Sequence, residues 1–285
     1  MVVYGQTGGE RARRGLTMSS TARFEPDLRP EQTGNSMDND SRFKPHEVLA
    51  PHYASAEGKQ PFLRRVFDDS APHYERIASW GFFGTGNWYR RWALGRAGLL
   101  PGMTVVDVAA GTGITARAAA AIIGCPEAIT CVEPSLGMLR ESERQLPQAR
   151  HLQGGADALP LPDESFDFLS MGFALRHVEN LETAFREFRR VLKPGGRLLI
   201  MDITKPDGAL ANRLIKFYFR DFMPRFTRLI TGSAEATYLM EYYWETLDHM
   251  VDPARVLEAL TAAGLEDPRR HVEAGIFSEY TARRS

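Results

Sequence analysis

Cysteine is scarce in this sequence, in which Cys125 and Cys131 are the two examples among 285 residues. Five residues separate them, which is not a usual metal-binding spacing, and the flanking sequence offers no recognisable ligand set. We therefore predict two free, buried thiols, with neither a disulfide framework nor a metal site. Such cysteine usage is ordinary for a reducing cytoplasm.

A long apolar run and an excess of one charge are also missing. No stretch approaches the roughly 20 apolar residues of a membrane span. Residues 1–15 carry three arginines but no apolar core of signal-peptide length. The formal net charge is −1, which provides no overall attraction to nucleic acid. We therefore expect a cytoplasmic protein that neither spans a membrane nor binds nucleic acid.

Composition divides the chain into three parts. Residues 1–44 are polar with few large apolar side chains, which predicts a mostly disordered arm. Residues 45–102 show helical apolar spacing from Phe62 and again from Trp88, separated by an aromatic, glycine-punctuated loop at residues 80–86. These helices either pack on a sheet or form a lid over a pocket. Residues 103–285 form the main domain, with a helical insert at 208–250.

Short buried strands alternate with helices along the main domain. The strands are predicted at residues 104–108, 128–132, 150–153, 166–171 and 198–203, with helices at 114–123, after 135 and at 181–192. This alternation predicts a doubly wound, mostly parallel α/β sheet with right-handed crossovers. Segments 271–274 and 276–281 alternate around Gly275 and predict a closing antiparallel hairpin.

The first predicted strand ends in the sequence DVAAGTG at residues 107–113. Glycines let the backbone approach a ligand closely, and the helix that follows offers unpaired N–H groups. Asp107 lies at the strand end, where α/β sheets bind ligands. Glu133 follows Gly113 by 20 residues, at the tip of the second strand, where a carboxylate can accept both ribose hydroxyls of a nucleoside. A ligand-free glycine turn and a simple helix-start acid are the alternatives.

The helical insert has two chemically distinct faces. Its apolar face contains Leu210, Leu214, Phe217, Tyr218, Phe222 and Phe226, and its basic face contains Arg213, Lys216, Arg220, Arg225 and Arg228. This pattern predicts an amphipathic helix whose apolar face covers the core. Peripheral contact with a membrane surface is the alternative.

Four motifs together resemble a known enzyme class. They are DVAAGTG at 107–113, EPSLGML at 133–139, ADALPLPDESFD at 156–167 and RVLKPGGR at 190–197. They resemble the class I S-adenosylmethionine (SAM) methyltransferases, and within these the ubiquinone/menaquinone C-methyltransferases of the UbiE/MenG type. VFD at 66–68, Tyr74, YRRW at 89–92 and GFALRH at 172–177 resemble further family segments. The resemblance covers residues 62–283.

The resemblance implies a Rossmann-like, seven-stranded sheet whose last strand is antiparallel, with SAM across the strand tips and S-adenosylhomocysteine (SAH) as product. It implies that Thr112 and the glycines lie by the methionine part, Glu133 by the ribose and Ala156 by the adenine. The full implied cofactor set is Tyr74, Asp107, Ala109, Gly111, Thr112, Gly113, Glu133, Pro134, Met138, Gly155, Ala156, Asp157 and Gly172. Gly155 replaces the Asn or Asp common in the family, and Asp157 is a candidate substitute.

Arg176 and His177 are the candidate catalytic residues. Arg176 stays protonated, so it can hold a phenolate or polarise water but cannot be a base. His177, where the family often has Asn, titrates near neutrality and can accept a proton. The structural alternatives are an ion pair of Arg176 with an acid such as Glu179 and a loop-capping His177. The expected acceptor is a small, hydrophobic, aromatic, quinone-like or prenylated molecule methylated on carbon.

Other functions remain open at this point. O- or N-methylation needs less activation of the acceptor. An NAD(P)-dependent oxidoreductase would share the glycine turn and Glu133 but leaves the segments at 156–157 and 192–196 unexplained. A non-catalytic SAM-binding protein is a third class. A homo-oligomer is also compatible with the sequence.

Overall fold

The computed structural model describes residues 43–46, 56–81 and 86–285. Its sheet has seven strands, which are β1 Val105–Val108, β2 Ile129–Glu133, β3 Arg150–Gln153, β4 Phe166–Gly172, β5 Leu192–Ile203, β6 Glu266–Glu273 and β7 Phe277–Arg283. Their order is β3-β2-β1-β4-β5-β7-β6. Strands β1 to β5 run parallel, and β7 lies antiparallel between β5 and β6. The predicted doubly wound sheet with an antiparallel last strand is confirmed.

Helices cover both faces of this sheet. The helices of the described residues are α1 Ala56–Gly81, α2 Gly86–Arg96, α3 Ile114–Ile123, α4 Leu136–Gln145, α5 Leu181–Val191, α6 Ala209–Lys216, α7 Met223–Thr231, α8 Ala234–Asp248 and α9 Pro253–Ala262. Of these, α2, α3, α4, α5 and α9 contact the strands directly. Short 3-10 turns lie at Pro126–Ala128 and Leu175–His177, and a π-helical segment at Phe217–Phe222 joins α6 to α7.

Alternating strand residues build two separate cores, because successive side chains of a strand point to opposite faces. Val106, Leu169 and Leu198 join the core formed with α5 and α9. Val105, Phe168 and Leu199 are their immediate sequence neighbours in the three strands. They join the core formed with α2 and α3. Both faces of the sheet are therefore buried, as its near-continuous apolar strands predict.

The segment before the sheet differs from prediction at several points. Helix α1 continues through residue 81, so residues 80 and 81 are helical rather than part of the predicted loop. Residues 82–85 of that loop and residues 1–42 of the predicted arm lie outside the described residues. Phe43, which composition assigns to the arm, is buried, and its carbonyl accepts a hydrogen bond from the Leu181 N–H at 2.9 Å. Cys131 is buried as predicted, whereas Cys125 is exposed.

The predicted orientation of the helical insert is wrong for four of its six apolar-face residues, whereas Tyr218 and Phe226 are partly buried against the core as predicted. Leu210, Leu214 and Phe217 are exposed, as is Phe222. A second row of residues, spaced four apart, also faces inward. Ile215, Phe219 and Met223 contact the hydrophobic cores, and Thr227 is buried. Apolar residues occur in both rows of this stretch, so residue type alone does not indicate which row packs against the core. No helix in the described ranges is long and apolar enough to cross a membrane.

Candidate active site

A cavity of about 330 Å³ lies at the carboxyl ends of β1, β2 and β4. Its floor consists of strand-end loops, and its roof consists of α1, the π-helical segment with α7, and α8. The floor residues include Ala109, Gly111, Glu133, Pro134, Met138, Gly155, Ala156, Asp157 and Gly172. One wall is polar, with Tyr74, Arg90, Arg176, His177 and Tyr243, whereas the roof is apolar, with Leu63, Phe67, Phe219, Met223, Leu239 and Met240.

Small residues keep the floor of the cavity open. Ala109 and Gly111 adopt left-handed backbone conformations with φ of 52° and 56°. A Cβ added to Gly111 or Gly155 would meet no atom within 4 Å, so a ligand has room to approach both backbones. Gly172 is small for another reason, because a Cβ there would stand 2.5 Å from the Thr115 hydroxyl of α3.

Glu133 is the buried acid of this floor. Its Oε2 accepts from the Gly111 N–H and its Oε1 from the Ser135 N–H, each at 2.9 Å. Burial raises the pKa of Glu133 to about 7, although these two hydrogen bonds favour the carboxylate. Each carboxylate oxygen can accept a further hydrogen bond. Glu133 is therefore held in place with acceptor capacity left for a ligand.

Asp107 lies outside the cavity lining and is fully buried. Its Oδ1 accepts from the Ser170 hydroxyl at 2.7 Å, and its Oδ2 has no hydrogen-bond partner within the described chain. Burial raises the pKa of Asp107 to about 7. Thr112 and Gly113 also lie outside the lining. The Thr112 hydroxyl donates to Glu75 of α1 at 2.8 Å, and a Cβ on Gly113 would stand 2.6 Å from the Ser142 hydroxyl.

Arg176 is fully buried in the polar wall, in the 3-10 turn after β4. Its Nη1 donates to Asp202 Oδ1 at 2.6 Å, and its Cζ lies 3.8 Å from the centroid of the Tyr243 ring. Arg176 thus forms the ion pair with an acid that was the structural alternative, and the acid is Asp202 rather than Glu179. Burial disfavours the charge, but Tyr243 and Asp202 outweigh burial and raise the pKa of Arg176. Nε and Nη2 lack a hydrogen-bond partner within the described chain, so they can receive an acceptor oxygen.

His177 lies next to this cation. Its ring stacks on Tyr242 with centroids 5.8 Å apart and meets Phe67 edge-on at 5.3 Å. Burial lowers the pKa of His177 well below its usual value, and the nearby charges of Arg176 and Lys59 lower it further. The buried Nδ1 has no hydrogen-bond partner among the described residues. His177 is therefore neutral at physiological pH and has a ring nitrogen available.

Arg90 is a wall residue that the sequence reasoning missed. It lies on α2 and is buried, whereas its neighbour Arg91 is exposed. Its Nη1 donates to the Gly86 carbonyl at 3.0 Å, its Cζ lies 4.7 Å from the Phe173 ring centroid, and its buried Nε has no hydrogen-bond partner within the described chain. The adjacent arginines Arg90 and Arg91 indicate that a cation is present here, but residue type does not show which of the two points into the protein.

Helix α1 is attached to the sheet by polar contacts that the sequence also did not reveal. Lys59 Nζ donates to the Val178 carbonyl at 2.8 Å, and Gln60 Nε2 donates to the His177 carbonyl at 3.3 Å. Further along α1, Asp68 Oδ1 accepts from the Ser135 hydroxyl at 2.6 Å. Burial lowers the pKa of Lys59 to about 8. The roof helix thus fixes the loop that carries Arg176 and His177.

Residues 55–282 match the ubiE/COQ5 methyltransferase family. This chain belongs to that family. Within the family, the ubiquinone/menaquinone biosynthesis C-methyltransferase UbiE of Shewanella sediminis is 31% identical over 217 residues, which cover 74% of this chain and 85% of that protein. The protein is accordingly a SAM-dependent methyltransferase, with SAM as methyl donor and SAH as product. The oxidoreductase and non-catalytic alternatives no longer apply.

Solved structures of methyltransferases share the fold. A SAM-dependent methyltransferase of Thermotoga maritima, described as a possible histamine N-methyltransferase, gives a TM-score of 0.54 at 20% identity and covers 78% of this chain and 99% of its own. The phosphoethanolamine N-methyltransferase 2 of Haemonchus contortus, solved in complex with SAM, gives 0.54 at 16% identity and covers 76% and 60%. At these identities the similarity concerns the fold alone.

The cavity residues fit SAM. The open space over Gly111 and Gly155 admits a ligand against the backbone, and Glu133 offers a buried acid with two acceptor oxygens. Arg90 adds a buried cation with a free N–H for a carboxylate. Asp157 Oδ1 is buried in the lining without a hydrogen-bond partner in the described part of the chain, which suits an amino group. A nucleoside linked to an amino acid requires this combination of groups.

Proposed function

We propose that this methyltransferase transfers the methyl group of SAM to a ring carbon of a hydrophobic phenol or quinol, a precursor of a ubiquinone- or menaquinone-type quinone. One observation carries the proposal. A floor suited to SAM, a wall with Arg176 and His177, and an apolar roof enclose the same cavity. The names of the similar proteins point to the same acceptor class.

The floor and Arg90 bind the cofactor in this proposal. Glu133 accepts the two ribose hydroxyls, and Arg90 pairs with the methionine carboxylate. Gly155 and Ala156 would leave room for the adenine, and Asp157 Oδ1 would accept from its amino group, the role that Gly155 cannot fill. The remaining residues of the implied set act around these contacts, with Tyr74, Ala109, Pro134, Met138 and Gly172 in the lining and Asp107, Thr112 and Gly113 supporting it from outside.

The polar wall activates the acceptor. SAM supplies an electrophilic methyl group, so the protein must align the acceptor and increase the electron density of the attacked carbon. Arg176, held by Asp202, receives the acceptor oxygen and stabilises it as a phenolate. His177 Nδ1 accepts the hydroxyl proton. After the new carbon–carbon bond forms, the protonated His177 returns its proton to the oxygen. The ring carbon then releases its own proton to water, so that aromaticity returns and the net products are the methylated phenol, SAH and one proton.

The apolar roof excludes water and accepts the hydrophobic part of the acceptor. Leu63 and Phe67 of α1 face the cavity together with Leu239 and Met240 of α8. Leu239 and Met240 belong to one helical cluster and Leu63 belongs to a second, while Phe67 packs against both. Both clusters are separate from the sheet cores. Exclusion of water from the reacting centre strengthens the interaction of Arg176 with an oxyanion.

The test is methyl transfer from labelled SAM to phenols, quinols and prenylated aromatics kept dispersed in detergent, with mass spectrometry of the products. The expected product carries one added methyl group on a ring carbon. Arg176→Lys should lower turnover at least tenfold, whereas Glu143→Gln, on the exposed surface of α4, should not. Methylation on oxygen or nitrogen, or equal turnover by Arg176→Lys, would contradict the proposal.

A further inference from the structure

The helical insert presents a continuous apolar row to solvent. The row consists of Leu210 and Leu214 in α6, Phe217 and Phe222 at the ends of the π-helical segment, and Leu229 in α7. Their exposure ranges from 41% for Phe222 to 82% for Leu229. Isolated exposed apolar residues are ordinary, but a row of large ones along a single element marks an interaction surface.

The π-helical segment keeps this row aligned. Leu210, Leu214 and Phe217 are spaced by four and then three residues, which places them on one face of an α-helix. Phe222 follows Phe217 by five residues, a spacing that an α-helix would turn well away from this face. The i→i+5 hydrogen bonding of Phe217–Phe222 brings it back. Such segments are rare and frequently occur at functional sites.

Exposed basic residues flank the row. They are Arg213, Lys216, Arg220, Arg225 and Arg228. Asp221 is the one acidic residue between positions 209 and 231, so five basic residues and one acidic residue give this segment a net charge of +4, against −1 for the whole chain. We call this combination of apolar row and basic residues the insert surface. Its net charge is positive although the net charge of the whole chain is slightly negative.

The opposite side of the same segment forms part of the cavity roof. Phe219 and Met223 point inward and line the cavity. Phe222 on the exposed row stacks on Tyr218 at 5.7 Å between ring centroids, and Tyr218 packs in turn against Phe219 at 5.1 Å. The insert surface and the candidate active site are therefore separated by the thickness of one helix.

We propose that the insert surface docks the enzyme on an anionic lipid membrane, from which the hydrophobic acceptor enters the cavity. The apolar row inserts among the acyl chains while the basic residues contact anionic headgroups, the arrangement of interfacial amphipathic helices. The apolar row suits the acyl chains of a lipid membrane, and the five basic residues suit its anionic headgroups. The route for the acceptor rests on the proposed function, whereas the docking does not.

The test is co-sedimentation of the full-length protein with vesicles, measured without turnover. Vesicles of phosphatidylcholine alone are compared with vesicles that also contain phosphatidylglycerol. We expect preferential binding to the anionic vesicles that weakens as salt is added. Arg213→Gln with Lys216→Gln should weaken this binding about 25-fold, or about fivefold for each charge removed. Leu210→Ser with Leu214→Ser should weaken binding to both vesicle types.

Two matched controls separate docking from general effects. Arg140→Gln removes an exposed charge on α4, and Leu100→Ser removes an exposed leucine before β1. Both should bind vesicles as the wild type does. Equal vesicle binding by the insert-surface variants would overturn the proposal. So would a dimer in light scattering that binds no vesicles and dissociates in Leu210→Ser with Leu214→Ser, because the row would then be a protein interface.

Failure of the docking proposal can be distinguished from failure of the proposed function. The insert-surface residues do not line the cavity. Their variants should therefore methylate a detergent-dispersed acceptor at the wild-type rate even where vesicle binding is lost.

Discussion

Replacement of Glu133 by glutamine tests the cofactor site at its buried acid. In the structure both carboxylate oxygens accept a backbone N–H, from Gly111 and from Ser135, each at 2.9 Å. Glutamine has the same shape but offers one oxygen and one NH2 group. The NH2 group opposes one of these N–H donors and cannot accept a ribose hydroxyl. Glu133→Gln therefore removes one acceptor while leaving the volume of the site unchanged.

The expected loss follows from the charge of the lost acceptor. A hydrogen bond to a charged group is worth about 1.5–3 kcal/mol, so SAM affinity should fall about ten- to hundredfold. The wild-type affinity should also depend on pH, because burial raises the pKa of Glu133 to about 7. Below that pKa the site is protonated, and affinity should decrease by up to about tenfold for each pH unit.

Calorimetric titration with SAM and SAH between about pH 6 and about pH 8 measures both effects. Glu133→Gln should remove this one-proton slope of log Kd against pH, so that SAM affinity becomes nearly independent of pH over this range. Glu143→Gln, an exposed acid of the adjacent helix α4, is the matched control and should bind as the wild type does. Unchanged affinity and an unchanged pH slope in folded Glu133→Gln would refute the ribose assignment.

Three further predictions concern the polar wall and its supports. His177→Ala should lower turnover at least tenfold, because general acid–base catalysis is worth ~10²–10⁴-fold, and it should change the Kd of SAM little. In the wild type, the turnover rate should fall only at a pH below the usual pKa of histidine, because burial lowers the pKa of His177. Asp202→Asn leaves the Arg176 charge buried without its counter-ion and should cost about 3–5 kcal/mol in denaturant unfolding, whereas Asp207→Asn, at an exposed position, should cost little. Burial lowers the pKa of Lys59 to about 8, below its unfolded value of 10.5, so the unfolded chain binds more protons between these two pH values. The free energy of unfolding should therefore rise with pH between them. A Lys59→Met variant that kept this rise would contradict the lowered pKa of Lys59.

Most of the sheet is predictable because its signals are local. The apolar runs that become β1, β2 and β4 are bounded by glycine, proline and acidic residues, and alternation around Gly275 predicts the final hairpin. The sequence analysis considered an ion pair of Arg176 with an acid such as Glu179, but the topology points to Asp202. Parallel β4 and β5 are neighbours in which Gly172 pairs with Met201, so the residues just after each pairing position meet at one edge. Asp202 was therefore a better candidate than Glu179.

Other features depend on information that residue types do not carry. Arg90 and Arg91 are chemically identical, and only the rotation of α2 against the sheet decides which is buried. The exposed face of the insert depends on the i→i+5 hydrogen bonds at Phe217–Phe222, which no spacing rule for regular helices anticipates. The resemblance implies that Thr112 lies by the methionine part of SAM. No local pattern predicts that its hydroxyl also donates to Glu75 of α1, 37 residues earlier in the chain.

Isotopic labelling of the methyl group tests the central claim most directly. The wild-type enzyme is incubated with SAM carrying a labelled methyl carbon and a detergent-dispersed quinol, and the product is examined by NMR. The account predicts that the labelled methyl is bonded to a ring carbon, that SAH forms in equal amount, and that Arg176→Lys and His177→Ala both reduce this signal while still binding SAM. A label found on oxygen or nitrogen, or SAH formation unaffected by either substitution, would contradict it.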